Sequence, residues 1–189
     1  ARAGVDIIFH GFEMDQEGLD AVVESGATLS PALTFLVNTV EFTRPGDPCF
    51  KWRPNMNRND VEIASEMLVQ ARKAGVPFMV GTDSGFAVTP YGEWHAKELE
   101  LMVKYLGFTP GEALKCTTSE NSKLLREGNN VGRLADGVLA DITVVSANPL
   151  EDITCLQKRE NIKEVWLGGE RGDLTPTEDF KPYNWEQSY

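Results

Sequence analysis

The sequence predicts an α/β fold in which short parallel strands alternate with amphipathic helices. One pattern occurs three times: a glycine follows a helix-like stretch, and a short apolar run follows the glycine. These glycines are Gly4, Gly26 and Gly75. Glycine readily adopts the left-handed conformation that ends a helix. Nearly continuous apolar runs are typical of parallel strands that are covered on both faces. The resulting order of strand, helix, strand, helix, strand indicates α/β architecture.

The three apolar runs are predicted to be strands at residues 5–9, 28–35 and 76–81. A helix over residues 14–25 separates the first two strands, since Leu19, Val22 and Val23 fall on one of its faces. A second helix, over residues 59–75, precedes the third strand. Residues 38–59 contain three prolines and a glycine, and we expect a long loop there. Long ordered loops in compact domains are often lids or substrate loops.

Two further helices are predicted after the third strand, in "GEWHAKELELMVKYLG" and "TPGEALKCTTSENSKLLREG". The second begins with a strong start signal, because Thr109 can cap it, Pro110 fits the first helical position and Glu112 follows at the third. From about residue 128 the sequence changes to short β-type runs separated by glycines. We therefore divide the chain into an α/β part (residues 1–127), a β segment (128–172) and a polar tail (173–189).

Composition excludes several functional classes. The formal net charge of −11 argues against nucleic acid and anionic membranes as partners, because phosphate binding requires clustered Lys and Arg. No run of the sequence is long and apolar enough to span a bilayer, and no signal peptide opens it. Its three cysteines, Cys49, Cys116 and Cys155, are odd in number and far apart, so a reduced, cytoplasmic location is expected.

Two chemically capable residues stand at the ends of predicted strands. His10 ends the first strand, and Asp83 ends the third within "GTDSG". In parallel α/β folds, ligands bind beyond the carboxyl ends of the strands. Imidazole and carboxylate groups suit zinc and similar divalent metals. The alternative interpretation is structural: a single His can be a hydrogen-bonded core residue, and an Asp among glycines can form a turn.

Other polar residues near these ends have ordinary interpretations. His95 lies near a helix start, where a solvated or cap-linked imidazole is expected. Glu93 and Glu98 are predicted to be surface acids of the same helix.

Taken together, "VDIIFHG", "GATLSPALTF", "GVPFMVGTDSG", "ELELMVKYLGFTPGEALKCTTSENSKLL" and "VGRLADGVLADITVVSANPLEDI" resemble the C-terminal half of a metal-dependent amidohydrolase. Within that superfamily the chain is most similar to prolidase-like and imidazolonepropionase-like members. The resemblance implies the C-terminal portion of a (β/α)₈ TIM-like barrel and a small β-sandwich segment. It also implies one or two divalent metal ions, zinc first among them.

The resemblance assigns roles to individual residues. His10 matches a metal ligand. Asp83 matches a metal ligand that also handles the proton of the attacking water. Thr34 lies in the segment matching the seventh strand, whose loop usually contacts substrate, and Arg44 in the following loop is a second candidate for substrate binding. One departure from the family pattern is Phe9, because members commonly carry Glu at that position.

The expected function is hydrolysis of an amide or other C–N bond in a small molecule by metal-activated water. The family's remaining metal ligands have no counterpart here, so we expect the chain to be incomplete and to need an N-terminal half or a second chain, with a homo-oligomer possible. Two alternatives stay open at this point: a catalytically silent binding or assembly partner, and a related esterase or organophosphate hydrolase.

Overall fold

A parallel sheet lies at the centre of the α/β part. The computed structural model describes residues 1–42, 58–85, 88–92, 94–126 and 128–176. Strand β1 (Ile7–Phe9) pairs in parallel with β2 (Thr28–Ser30). Leu29 of β2 also forms a parallel bridge with Phe78, through backbone bonds of 2.9 Å and 2.8 Å to Pro77 and Met79. The α/β class and the parallel arrangement of the three segments are confirmed.

Helix α1 (Gln16–Ser25) connects β1 to β2. It begins at Asp15, whose Oδ1 accepts a hydrogen bond of 2.8 Å from the Gly18 N–H. It ends at Gly26, which has a φ of 70° and a backbone N–H bonded to the carbonyls of Val22 and Val23. The predicted helix and its terminal glycine are therefore both confirmed.

The predicted second strand is too long. Strand β2 ends at Ser30, and residues 33–42 form helix α2 (Leu33–Phe42). Pro31 has no N–H to continue the ladder, and Ala32 leaves the β conformation with a φ of 52°. The helix then buries Leu33, Leu36 and Val37. Part of the predicted loop over residues 38–59 is thus helical, and its segment from 43 to 57 lies outside the described residues.

Three more helices pack around the sheet: α3 (Arg58–Lys73), α4 (His95–Leu106) and α5 (Pro110–Lys115). Helix α5 has the predicted capping box between Thr109 and Glu112. Beyond α5 the predicted long helix breaks into a π-helical turn (Cys116–Glu120) and a 3₁₀ turn (Asn121–Leu124). The core between sheet and helices includes the fully buried side chains of Leu29, Leu33, Leu68 and Met102.

The last part of the described chain is an antiparallel sheet of β3 (Ile142–Val145), β4 (Ile162–Leu167) and β5 (Glu170–Arg171). A 3₁₀ turn between β3 and β4 places Ile153 and Cys155 in the core, and Gln157 donates a hydrogen bond of 2.7 Å to Glu100 of α4. The β character predicted for this segment is present, and the segment packs on the α/β part. The predicted tail lies outside the described residues from position 177 onward.

None of the helices in the described ranges combines the length and the hydropathy needed to cross a bilayer.

Candidate active site

The structure brings His10 and Asp83 together at the carboxyl ends of two parallel segments that lie on either side of β2. His10 Nε2 lies 3.2 Å from Asp83 Oδ2. The His10 backbone N–H donates to the Ser30 carbonyl at 2.9 Å, which extends the ladder between β1 and β2 to the site. The juxtaposition expected from the sequence is therefore present, and the roles of both residues stay predictions.

The backbone at this edge of the sheet is unusual. Among the described residues other than glycine, those with positive φ are His10 (69°), Ala32 (52°) and Asp83 (52°). Each follows one of the three parallel segments. Such a conformation is unfavourable for residues with a Cβ and is found disproportionately at active sites, where the surrounding structure holds it in place. The strain therefore coincides with the two residues that the sequence singled out.

The pair is accessible from solvent. The side chains of His10 and Asp83 are 38% and 32% exposed. His10 also borders an open cavity of about 790 Å³ whose wall includes Ile8, Phe12, Met14 and Phe35. The Phe12 ring lies 5.2 Å from the imidazole, measured between centroids. The cavity wall includes His10 but not Asp83, so the cavity gives a small molecule access to the imidazole, whereas the carboxylate is reached from solvent.

The two side chains fit part of a metal site. Two ligands that share a tetrahedral zinc ion at bond lengths of about 2.1 Å lie about 3.4 Å apart, close to the separation seen here. The Nδ1 atom of His10 is buried and has no hydrogen-bond partner in the described structure. The described residues contain no group of three or more His, Cys, Asp or Glu side chains that could hold an ion. His10 and Asp83 therefore supply at most two of the three protein ligands that catalytic zinc sites use.

Glu98 is the main error of the sequence-based interpretation. It was expected on the surface of α4, yet its side chain is fully buried. Its Oε1 accepts from the Leu33 N–H at 2.9 Å, and its Oε2 accepts from the Thr34 N–H at 2.7 Å and hydroxyl at 2.6 Å. Burial raises the pKa of Glu98 to about 7, against the lowering effect of these bonds. Glu98 thus caps the N-terminus of α2 from another helix.

The predicted substrate contacts have different outcomes. Thr34 is fully buried on α2 and its hydroxyl is occupied by Glu98, so the described structure gives it an architectural role. Its contact with substrate stays a prediction. Arg44 and Glu93 lie outside the described residues.

His95 lies closer to the site than the sequence indicated. Its Nδ1 is 3.3 Å from Thr82 Oγ1 and 3.5 Å from Ser84 Oγ, the hydroxyls on either side of Asp83. The two hydroxyls are 2.8 Å apart. His95 is exposed, as one of the two expectations had it, and among the described residues it forms no cap bond at the start of α4 but faces the turn that carries Asp83.

Comparison with known proteins places this site in context. The model of the amidohydrolase family matches residues 2–172. This chain belongs to the amidohydrolase family. The resemblance noted in the sequence is therefore confirmed.

Two curated amidohydrolases show the range of similarity. The chain is 39% identical over 101 residues to the ochratoxinase of Aspergillus niger, an alignment that covers 52% of this chain and 20% of that enzyme. It is 26% identical over 160 residues to the imidazolonepropionase of Idiomarina loihiensis, covering 85% of this chain and 34% of that enzyme. These alignments thus span about a fifth to a third of the length of the two curated relatives.

Solved structures of amidohydrolases superpose well on this chain. A Xaa-Pro dipeptidase with methionine bound in its active site has a TM-score of 0.74 and 30% identity, and the match covers 91% of this chain and 41% of the dipeptidase. The A. niger ochratoxinase has a TM-score of 0.73 and 26% identity, covering 90% of this chain and 37% of that enzyme. The α/β arrangement around His10 and Asp83 is thus a shared amidohydrolase fold.

Proposed function

We propose that this chain forms part of a metal-dependent hydrolase that cleaves amide or other C–N bonds in small molecules. The observation that carries the proposal is the 3.2 Å approach of His10 Nε2 to Asp83 Oδ2 at the ends of parallel segments, with both residues in the left-handed conformation. Membership in the amidohydrolase family supports the same reaction class.

His10 and Asp83 would hold a divalent ion, zinc in the first instance, and a second ion is compatible with the proposal. When bound, such an ion lowers the pKa of a water ligand and polarises the scissile carbonyl. Since catalytic zinc takes at least three protein ligands, we propose that the others come from chain preceding these residues or from a second copy. Either would extend the parallel sheet beyond β1 towards a (β/α)₈ barrel, with the β3–β5 sheet as part of a β-sandwich.

Asp83 acts as the base in this proposal. Its carboxylate would take the proton from the attacking water and pass it to the leaving amine, which requires a carboxyl group within hydrogen-bond reach of the reacting atoms. The side chain is 32% exposed, so substrate and water have access to it. His10 would bind the ion through Nε2. A coordinated nitrogen cannot accept a proton, so the Asp83 carboxylate would be the group that transfers it.

A small amide such as a dipeptide is the proposed substrate class, because a structure with 30% identity is that of a Xaa-Pro dipeptidase. Arg44 could bind a substrate carboxylate, and Thr34 remains the second proposed contact. A cytoplasmic location is consistent with a reduced set of cysteines, of which Cys116 and Cys155 are free and buried.

The test compares wild type with Asp83→Asn and His10→Asn in the full-length protein, because asparagine tolerates positive φ and so preserves the backbone. The measurements are zinc content after dialysis and hydrolysis of a panel of Xaa-Pro dipeptides and N-acyl amino acids. We expect both variants to lose bound zinc and Asp83→Asn to lose at least about 100-fold in kcat. Glu24→Gln, an exposed acid on α1, is the matched control.

Near-normal turnover in Asp83→Asn would overturn the assignment. The 189-residue chain alone should bind zinc weakly and show no hydrolysis, so tight stoichiometric zinc in it would also contradict the proposal. Preferential turnover of phenyl esters or organophosphates in the same panel would favour the related hydrolase classes. Complete inactivity of an otherwise metal-loaded, full-length protein on every substrate would favour a binding or assembly role.

A further inference from the structure

The turn that follows Asp83 is closed by two hydrogen bonds with a buried threonine, one donated and one accepted by it. Thr89 is fully buried, and its Oγ1 donates to the Asp83 carbonyl at 2.8 Å. The Gly85 N–H donates in return to the Thr89 carbonyl at 2.6 Å. A non-glycine residue stays at a φ of 52° only when its surroundings hold it there. These two bonds therefore help to hold the Asp83 backbone, from which its carboxylate projects.

The same turn is held from outside by Asn38 of α2. Asn38 is fully buried, its Nδ2 donates to the Val88 carbonyl at 3.1 Å, and its Oδ1 accepts from Lys97 Nζ at 2.8 Å. An ammonium group can only donate and a backbone carbonyl can only accept, so the two partners fix a single orientation of the amide. Asn38 thus joins the Asp83 turn, α2 and α4 at one point.

Lys97 is itself held in place. Its Nζ donates to Glu41 Oε2 at 2.7 Å and lies 4.9 Å from the centroid of the Trp94 ring and 5.3 Å from that of Phe42. The carboxylate neutralises the largely buried charge, and the two rings limit the positions of the ammonium group. Lys97 therefore presents a fixed donor to Asn38.

We propose that Asn38 is a positioning residue for Asp83. This inference rests on the proposed role of Asp83 as base and metal ligand. No hydrogen bond joins Asn38 to Asp83 in the described structure. Asn38 acts by holding Val88, so that the adjacent Thr89 can hold the Asp83 carbonyl. Groups that orient a ligand or base in this way typically change activity or metal affinity by about 10–100-fold when removed. Burying an amide costs free energy unless it is hydrogen-bonded, so a residue that only filled space here would be apolar. The two hydrogen bonds of Asn38 therefore indicate a role beyond packing.

The decisive variant is Asn38→Asp, which keeps the size of the side chain and the acceptor for Lys97 but removes the donor to Val88. The measurements are kcat and KM, zinc affinity, and hydrogen exchange of the Gly85 amide in the full-length protein. We expect kcat to fall about 10–100-fold with KM changed by less than about threefold, and weaker zinc binding. Exchange of the Gly85 amide should accelerate at least about 10-fold, without acceleration in the core of α3.

Two further variants keep the test decisive. Thr89→Val preserves the branched shape and removes the bond to the Asp83 carbonyl, so it should reproduce the phenotype if Asn38→Asp does not fold. Ser65→Ala is the matched control, because Ser65 is a buried polar residue whose hydroxyl bonds to the Val61 carbonyl within α3. It should leave kcat and Gly85 exchange unchanged.

Unchanged kcat in both Asn38→Asp and Thr89→Val would overturn the proposal, as would acceleration of exchange throughout the protein, which indicates a general loss of stability. The exchange of Gly85 reports on the turn whether or not the enzyme assignment is right. If exchange accelerates while Asp83→Asn retains full activity, the proposed function fails although the hydrogen-bonded connection exists.

Discussion

Glu98 of α4 and Thr34 of α2, which are 64 positions apart in sequence, meet in a fully buried contact: the Thr34 hydroxyl and N–H both donate to Glu98 Oε2, at 2.6 Å and 2.7 Å. No cation is among the hydrogen-bonding partners described for this carboxyl group. Instead, the positive end of the α2 dipole and three hydrogen-bond donors stabilise the carboxylate. This arrangement leads to the first two predictions.

Stability should depend on pH through Glu98. Burial raises the pKa of Glu98 from 4.5 to about 7, so between these pH values the folded protein binds a proton that the unfolded chain releases. Its contribution to stability is therefore fully present below about pH 4.5 and is lost as pH rises through about 7. Relative to Glu98→Gln, wild-type protein should lose about 3 kcal/mol in unfolding free energy across this range, measured by urea denaturation. The control Glu24→Gln should follow wild type, and parallel curves for Glu98→Gln and wild type would contradict the pKa.

Thr34→Val should destabilise the protein by about 1–3 kcal/mol, because it removes a donor to a buried carboxylate while conserving shape. Thr34→Ser retains the hydroxyl and should lose much less. Urea denaturation gives both values. If Thr34 also contacts substrate, Thr34→Ser should keep KM near that of wild type and Thr34→Val should raise it. An equal loss of stability in the two variants would show that the methyl group contributes as much as the hydroxyl, which would contradict the prediction.

Gly81 should not accept a side chain as long as Ser30 is present. A Cβ at position 81 would lie 2.6 Å from Ser30 Oγ, inside the sheet next to the site. Gly81→Ala should therefore destabilise the protein by about 1–3 kcal/mol through overpacking. Ser30→Ala removes the obstructing atom and leaves contacts of 3.8 Å and longer. A double-mutant cycle with calorimetry should show that Ser30→Ala recovers most of the loss; purely additive effects would argue against this clash.

Cys116 should be unreactive in the folded protein. Burial raises the pKa of the Cys116 thiol to about 11, so at pH 8 only about one molecule in a thousand carries the thiolate. Titration with a thiol-specific reagent in a Cys49→Ser background should reveal no fast-reacting group under native conditions and two groups after denaturation. A fast native reaction that disappears in Cys116→Ser would contradict the buried environment.

Local signals predicted much of the fold. Gly26 ends α1, the Thr109 capping box begins α5, and three apolar runs form parallel segments, because each of these features depends on residues close in sequence. The error at α2 also has a local cause. "TLSPALTF" is apolar enough for a strand, and Pro31 was the signal that the strand ends there.

The site was predictable only in part. His10 and Asp83 could be paired because parallel strands bring their carboxyl ends to one edge. Glu98 could not be recognised as buried, since it occupies the first turn of α4, where a solvated acid is common. Its burial depends on the N-terminus of α2, which no local pattern connects with it. Asn38 was missed for the same reason, because its partners are 50 and 59 positions away.

His10, Ala32 and Asp83 share a positive φ at the three segment ends, so saturation mutagenesis can compare the same backbone conformation at three positions. Ala32 has only a methyl side chain, so the replacements tolerated there report the demands of backbone geometry and space without catalytic chemistry. At positions 10 and 83, the demands of backbone geometry and those of the proposed chemistry act together. Ala32 is fully buried and the other two side chains are about one third exposed, so the common element is the preference for residues that tolerate positive φ. Any further demand at position 10 or 83 reflects the imidazole or the carboxylate.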